Sequence, residues 1–133
     1  MPYMNHAIDT TATMRGVAAA DMDAPALLAV KIDGDGKFAV PAAGDFCIGI
    51  VLATTGSLKA GDELDVQIKD IGYWIAGGTV AKGALLKTDA AGKAVTAAAG
   101  DVVCAVALEA GTSGQPMKVM ICHTTVPAAA SGD

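Results

Sequence analysis

Few places in the chain carry side chains that could do chemistry. Asp33-Gly34-Asp35-Gly36 spaces two carboxylates as at the start of a calcium-binding loop. Such a loop needs carboxylates at positions 1, 3 and 5, glycine at 6 and glutamate at 12. Counting from Asp33, those last three places fall on Lys37, Phe38 and Gly44, so the segment reads as a hairpin tip. His6 and His123 have the type for a base or a metal ligand. His6 stands in a stretch without periodicity, and His123 follows Cys122, where strand neighbours point to opposite faces and cannot share a metal. Cys47, Cys104 and Cys122 form no CxxC pair and each lies in an apolar run, which reads as reduced thiols of a core. GxSxG, P-loop, HExxH and GxGxxG patterns are all missing from the sequence. No nucleophile can be given a base and an orienting acid, so the reading is a binding protein that is not an enzyme and uses no cofactor or metal.

One lysine needs separate weighing. Met117-Lys118-Val119-Met120 resembles the Met-Lys-Met tip on which biotin-carrier domains are modified. A carrier lysine stands at a hairpin tip, whereas Lys118 falls in an alternating strand after the turn residues Thr112-Ser113-Gly114-Gln115-Pro116. A biotinyl- or lipoyl-like carrier, or a small-molecule-binding β-domain, is therefore the alternative reading, and an oligomeric structural protein of cellular origin is a third.

The elements that would hold these residues are those of one small domain, since 133 residues do not make two. Alanine occurs 28 times and Phe, Trp and Tyr only five times together, so the core must be thin and built from Val, Ile, Leu and Ala. Charged residues are 17%, below the quarter usual for soluble domains, which suggests a surface partly covered by a partner. A net charge of −5 with Arg15 as the only arginine argues against nucleic acid. The longest uncharged apolar stretch, residues 46–58, is interrupted by Thr54, Thr55, Gly56 and Ser57, far short of the roughly 20 residues that cross a bilayer as a helix. No membrane partner and no secretory signal are expected, and synthesis in a host cytoplasm is.

The chain repeats itself. Residues 31–52 laid over 87–108 share Lys, Asp, Gly, Lys, Ala, Ala, Gly, Asp and Leu at Lys31/Lys87, Asp33/Asp89, Gly36/Gly92, Lys37/Lys93, Ala42/Ala98, Ala43/Ala99, Gly44/Gly100, Asp45/Asp101 and Leu52/Leu108. Each copy reads as a strand, a turn at Asp and Gly, a short strand, a second turn at Gly-Asp and a long apolar strand. Residues 46–52 and 102–108 are the expected central strands. Residues 63–69 and 117–121 alternate as half-exposed strands, and 71–76 make another. The fold class expected is all-β: a small β-barrel or sandwich of two hairpin repeats, about 26–70 and 82–123, within a domain spanning 25–126. Residues 1–24 have no period and read as an extended N-terminal arm that awaits a partner, and 127–133 as a flexible tail. The candidate partner-contacting residues are Tyr3, Met4, His6, Ile8, Met14, Arg15, Val17 and Met22 of the arm, with Tyr73 and Trp74, whose ring is an interface anchor or core filler.

The wording Ala-Gly-Gly-Thr-Val-Ala-Lys-Gly-Ala-Leu-Leu-Lys-Thr-Asp-Ala-Ala-Gly-Lys-Ala-Val at 76–95, Ala-Gly-Asp at 99–101 and Val-Ala-Leu-Glu-Ala-Gly-Thr-Ser-Gly at 106–114 resembles the head decoration, or capsid cement, proteins of tailed bacteriophages. The resemblance spans about residues 25–123 and is stronger in the second copy, since Val51-Leu52-Ala53-Thr54-Thr55-Gly56 replaces the Ala-Leu-Glu-Ala-Gly wording in the first. It implies an all-β protein on the outer surface of the phage head, in the virion. There it would bind the major capsid protein, bridge its subunits and stabilise the shell, as a homo-oligomer (trimer or dimer) at a local symmetry axis.

Overall fold

Asp33 and Asp89 build the same turn twice. Asp33 Oδ1 accepts the N–H groups of Asp35 and Lys37 at 2.9 Å each, and Asp89 Oδ1 accepts those of Ala91 and Lys93 at 2.8 and 2.9 Å. Gly36 and Gly92 close these turns at φ of 78° and 81°, where a side chain would be strained. A second matched device follows. Lys31 Nζ pairs with Asp45 at 2.8 Å and Lys87 Nζ with Asp101 at 2.9 Å, while each aspartate also accepts a backbone N–H, from Ala42 and Ala98. The identities in the sequence repeat are thus the residues that shape its turns.

The computed structural model describes residues 11–52 and 56–128. Ten strands follow one another: β1 (Thr13–Val17), β2 (Ala29–Ile32), β3 (Phe38–Ala39), β4 (Gly49–Val51), β5 (Glu63–Gln67), β6 (Ile71–Ile75), β7 (Leu85–Thr88), β8 (Ala94–Thr96), β9 (Val102–Ala107) and β10 (Pro116–Thr125). No helix occurs among the described residues. The strands form two five-stranded antiparallel sheets, ordered β1-β5-β4-β2-β3 and β6-β10-β9-β7-β8. The order is the same in both, so the all-β fold is a duplication in which β1 corresponds to β6 and β5 to β10.

This corrects the reading of residues 1–24 as an arm, for the part the structure describes. Thr13–Val17 is the first strand of the first half and pairs with β5 from Thr13↔Gln67 to Val17↔Glu63. Beyond it, Ala18 and Met22 are 1% and 4% exposed, in one core cluster with Val30, Phe38, Val51, Leu64 and Val66. The repeat boundaries move accordingly, to 13–67 and 71–125. The central strand of the first copy is also shorter than expected, only Gly49–Val51, with Phe46 left 53% exposed.

The two halves share a core. Trp74, Ala76, Leu86, Ala94, Ala105, Ala107, Met117 and Val119 of the second half form one cluster with Ala29, Cys47 and Ile50 of the first. Backbone bonds cross the same boundary, from Ala29 N–H to Gly92 O at 2.8 Å, from Gly44 N–H to Thr88 O at 2.9 Å and from Ile75 N–H to Leu27 O at 3.1 Å.

Candidate partner-binding surface

Alternation along β6 and β10 separates an inner from an outer face. Trp74, Met117, Val119 and Ile121 point inward and are buried. Ile71, Tyr73 and Met120 point outward, at 58%, 47% and 42% exposed. Directly opposed residues of an antiparallel pair share a face. Here Ile71 lies opposite Met120, Met120 opposite Val106, and Val106 opposite Leu85. The result is a row of four apolar side chains crossing β6, β10, β9 and β7, with Tyr73 beside it opposite Lys118. Val106 and Leu85 are half-buried.

The corresponding row in the first half is Thr13, Gln67, Ile50 and Ala29. There Ile50 and Ala29 are 4% and 2% exposed because the second half packs on them. The first sheet seals only the Ile50 and Ala29 end of this row, Thr13 being exposed and Gln67 half-buried, while the second sheet's row is apolar throughout, with Ile71 and Met120 exposed and Val106 and Leu85 half-buried. No conspicuous sequence motif marks it. Its signal was the outward half of the alternation in 71–75 and 116–120, where Ile, Tyr and Met stand at positions that polar residues usually fill.

The other expected contact residues are dispersed. Tyr3, Met4, His6 and Ile8 lie outside the described residues. Met14 and Val17 are half-buried on β1. Arg15 is exposed and held by its own sheet, with Nη1 2.6 Å from Glu63 Oε2 and Nε 3.1 Å from Asp65 Oδ1. Those two carboxylates raise its pKa, the hydrogen bond to Asp65 most of all. Met22 is buried and closes the first-half cluster, and of the two readings of Trp74 the structure has the core filler, fully buried with Nε1–H donated to Gly92 O at 2.8 Å. Among the described members of that set, Tyr73 alone joins the outer face.

Lys118 sits inside β10, exposed, and its backbone N–H is bound by Glu109 Oε1 at 2.8 Å, which is not the hairpin tip a carrier lysine occupies. His123 lies on a β-bulge, its ring 4.8 Å from that of Phe46 and its Nε2 2.8 Å from the Cys47 carbonyl. No group of three His, Cys, Asp or Glu side chains among the described residues is placed to hold a metal ion.

No family model matches the chain, and no curated protein matches it. Among solved structures, the head fiber gp8.5 N base of bacteriophage phi29 is similar, with a TM-score of 0.63 and 22% identity over 86% of this chain and 96% of that one. The two-sheet all-β architecture is therefore one also found in a protein of a bacteriophage head fiber.

Proposed function

We propose that the protein is a non-enzymatic structural component of a tailed-phage head, a decoration protein that binds the outer surface of the assembled shell and bridges major capsid protein subunits. The observation that carries this reading is the apolar row in which exposed Ile71 and Met120 continue into half-buried Val106 and Leu85, beside exposed Tyr73. In the first half the corresponding row is polar at Thr13 and Gln67 and covered by protein at Ile50 and Ala29, and an exposed apolar patch of this kind marks an interaction surface. The fold shared with a phage head fiber base, and the decoration-protein wording of residues 76–114, support a head as the place of that interaction. Modest contacts per copy suffice, because a shell repeats its sites and one copy touching several subunits gains avidity. The homo-oligomer at a local symmetry axis that the decoration-protein resemblance implies is part of the same proposal.

The test is co-sedimentation with phage heads stripped of their surface proteins. The wild-type chain pellets with the heads, and decorated heads release DNA at a higher temperature than stripped ones, since a ligand of the assembled state alone stabilises that state. Equal release temperatures, or no pelleting, would rule the reading out.

A further inference from the structure

Cys47, Cys104 and His123 meet where the two halves join. Cys47, just ahead of β4, belongs to the first half, and Cys104, on β9, to the second. Their Sγ atoms lie 3.7 and 3.9 Å from one acceptor, the Asp45 carbonyl, so the two thiols converge on a single atom from the two halves. Both are buried, at 1% and 4% exposed. Opposite Cys104 the register of β10 on β9 slips between Ile121 and Thr124, so Cys122 and His123 both lie within a bulge. His123 Nε2–H donates to the Cys47 carbonyl at 2.8 Å and fixes that residue from the second half. Bulges re-aim side chains in this way.

We infer that Cys47 and Cys104 form a disulfide that ties the two halves together when the chain leaves reducing surroundings, with a small-molecule disulfide such as oxidised glutathione as the oxidant. Of the two thiols Cys104 is the more acidic, lowered by the neighbouring Cys47, while Cys47 is pushed up by Cys104 and by burial. Cys104 is thus the attacking thiolate. Its sulfur displaces one glutathione thiolate from the oxidised glutathione and becomes a mixed disulfide. Cys47 then loses its proton to the released thiolate and attacks the Cys104 sulfur, expelling the second glutathione thiolate, which takes up the proton that Cys104 gave up. Two protein thiols are oxidised and one glutathione disulfide is reduced to two thiols. The new bond closes a long loop across the shared core, which restricts the unfolded chain most. The inference is independent of what the outer face binds.

Full-length protein is incubated with oxidised glutathione at mildly alkaline pH, and its intact mass and non-reduced peptide map are read with melting curves. The expected result is loss of two hydrogens, one cross-linked peptide pair holding Cys47 and Cys104, and a melting temperature raised by several degrees that dithiothreitol reverses. Cys122→Ser retains all three, and Cys104→Ser loses the cross-link. A link to Cys122, a stable glutathione adduct, covalent dimers, no mass change, or a Cys47–Cys104 bond that leaves the melting temperature unchanged or lower would each overturn it. Mapping the wild-type chain decides the matter even if a variant fails to fold.

Discussion

Gly16 and Trp74 occupy the same place in the two halves: Gly16 lies opposite Leu64 on an edge strand, and Trp74 opposite Met117 on the equivalent one. Their neighbours are exchanged to match. Ala18 bridges to Phe38 in the first half as Ala76 bridges to Ala94 in the second, so glycine is combined with phenylalanine on one side and tryptophan with alanine on the other. Each half has one aromatic ring in its interior, but carried by a different strand. A Cβ on Gly16 would stand 2.6 Å from Phe38 Cε2, within a ring that is 2% exposed and cannot swing away.

Gly16→Ala should therefore lose ~1–3 kcal/mol, the ordinary penalty of overpacking. In a Phe38→Leu background the same change should be nearly neutral, a coupling that a double-mutant cycle in urea would measure. Equal losses in both backgrounds would show that backbone conformation, not the ring, sets the requirement.

Gly36 and Gly92 offer a controlled comparison of two glycines in one turn. Both have positive φ, but a Cβ at Gly36 meets nothing within 4 Å, whereas at Gly92 it would stand 2.8 Å from the Ala29 carbonyl oxygen. Gly36→Ala should cost about 1–2 kcal/mol, the strain of the left-handed conformation alone. Gly92→Ala should cost clearly more, since it adds a clash with backbone and disturbs the bonds from Ala29 and Trp74 to Gly92 O. Thermal melts of the two variants side by side give the difference.

Acid should weaken both halves together. Asp45 and Asp101 have lowered pKa values, first because Lys31 and Lys87 hydrogen-bond them and next because Ala42 and Ala98 donate backbone N–H groups. A depressed folded-state pKa contributes stability that is present above the unfolded value, about 3.9, and is lost as pH falls through the folded one. The melting temperature should thus drop below about pH 4, and less steeply in Asp45→Asn/Asp101→Asn. Lys31 is raised by Asp45, so its share is lost at the opposite end, as pH rises through its folded value above the ordinary lysine range. A double variant with an unchanged acid limb would exclude these pairs as the cause.

Met120→Glu tests the outer face. Its side chain is 42% exposed and points away from the core, so the melting temperature should stay within the small range of surface substitutions. Co-sedimentation with stripped heads should nevertheless fall at least tenfold, because a charge is placed in the centre of the apolar row. Full binding by Met120→Glu would move the contact elsewhere on the molecule.

Much of the fold was legible because the duplicated residues are those that turns require: Asp33, Gly36 and Asp45, with their partners 56 residues on. The first strand was not, for a reason specific to Gly16. At the inward position where a strand pattern calls for a large apolar residue, the space is filled from β3 by Phe38, so Thr13–Val17 shows no alternation. An ungapped overlay hid it further, since Gly16 and Trp74 are 58 residues apart but Val66 and Val119 only 53. The outer face was half legible. Tyr73 was singled out, but its neighbours Ile71 and Met120 come together only through strand pairing, and Trp74 shares the sequence context of Tyr73 while pointing the other way.

The asymmetry of the shared core also sets an order of events at the ribosome. The first sheet is complete once Gln67 has emerged, yet Ala29 and Ile50 on its outer side await Trp74, Leu86 and Val119, which are still to be made. At roughly 5–20 residues per second, that face stays uncovered for on the order of several seconds. The first half is thus the segment exposed to chaperones and to mispairing with nascent neighbours, and the synthesis of β6 to β10 ends that exposure.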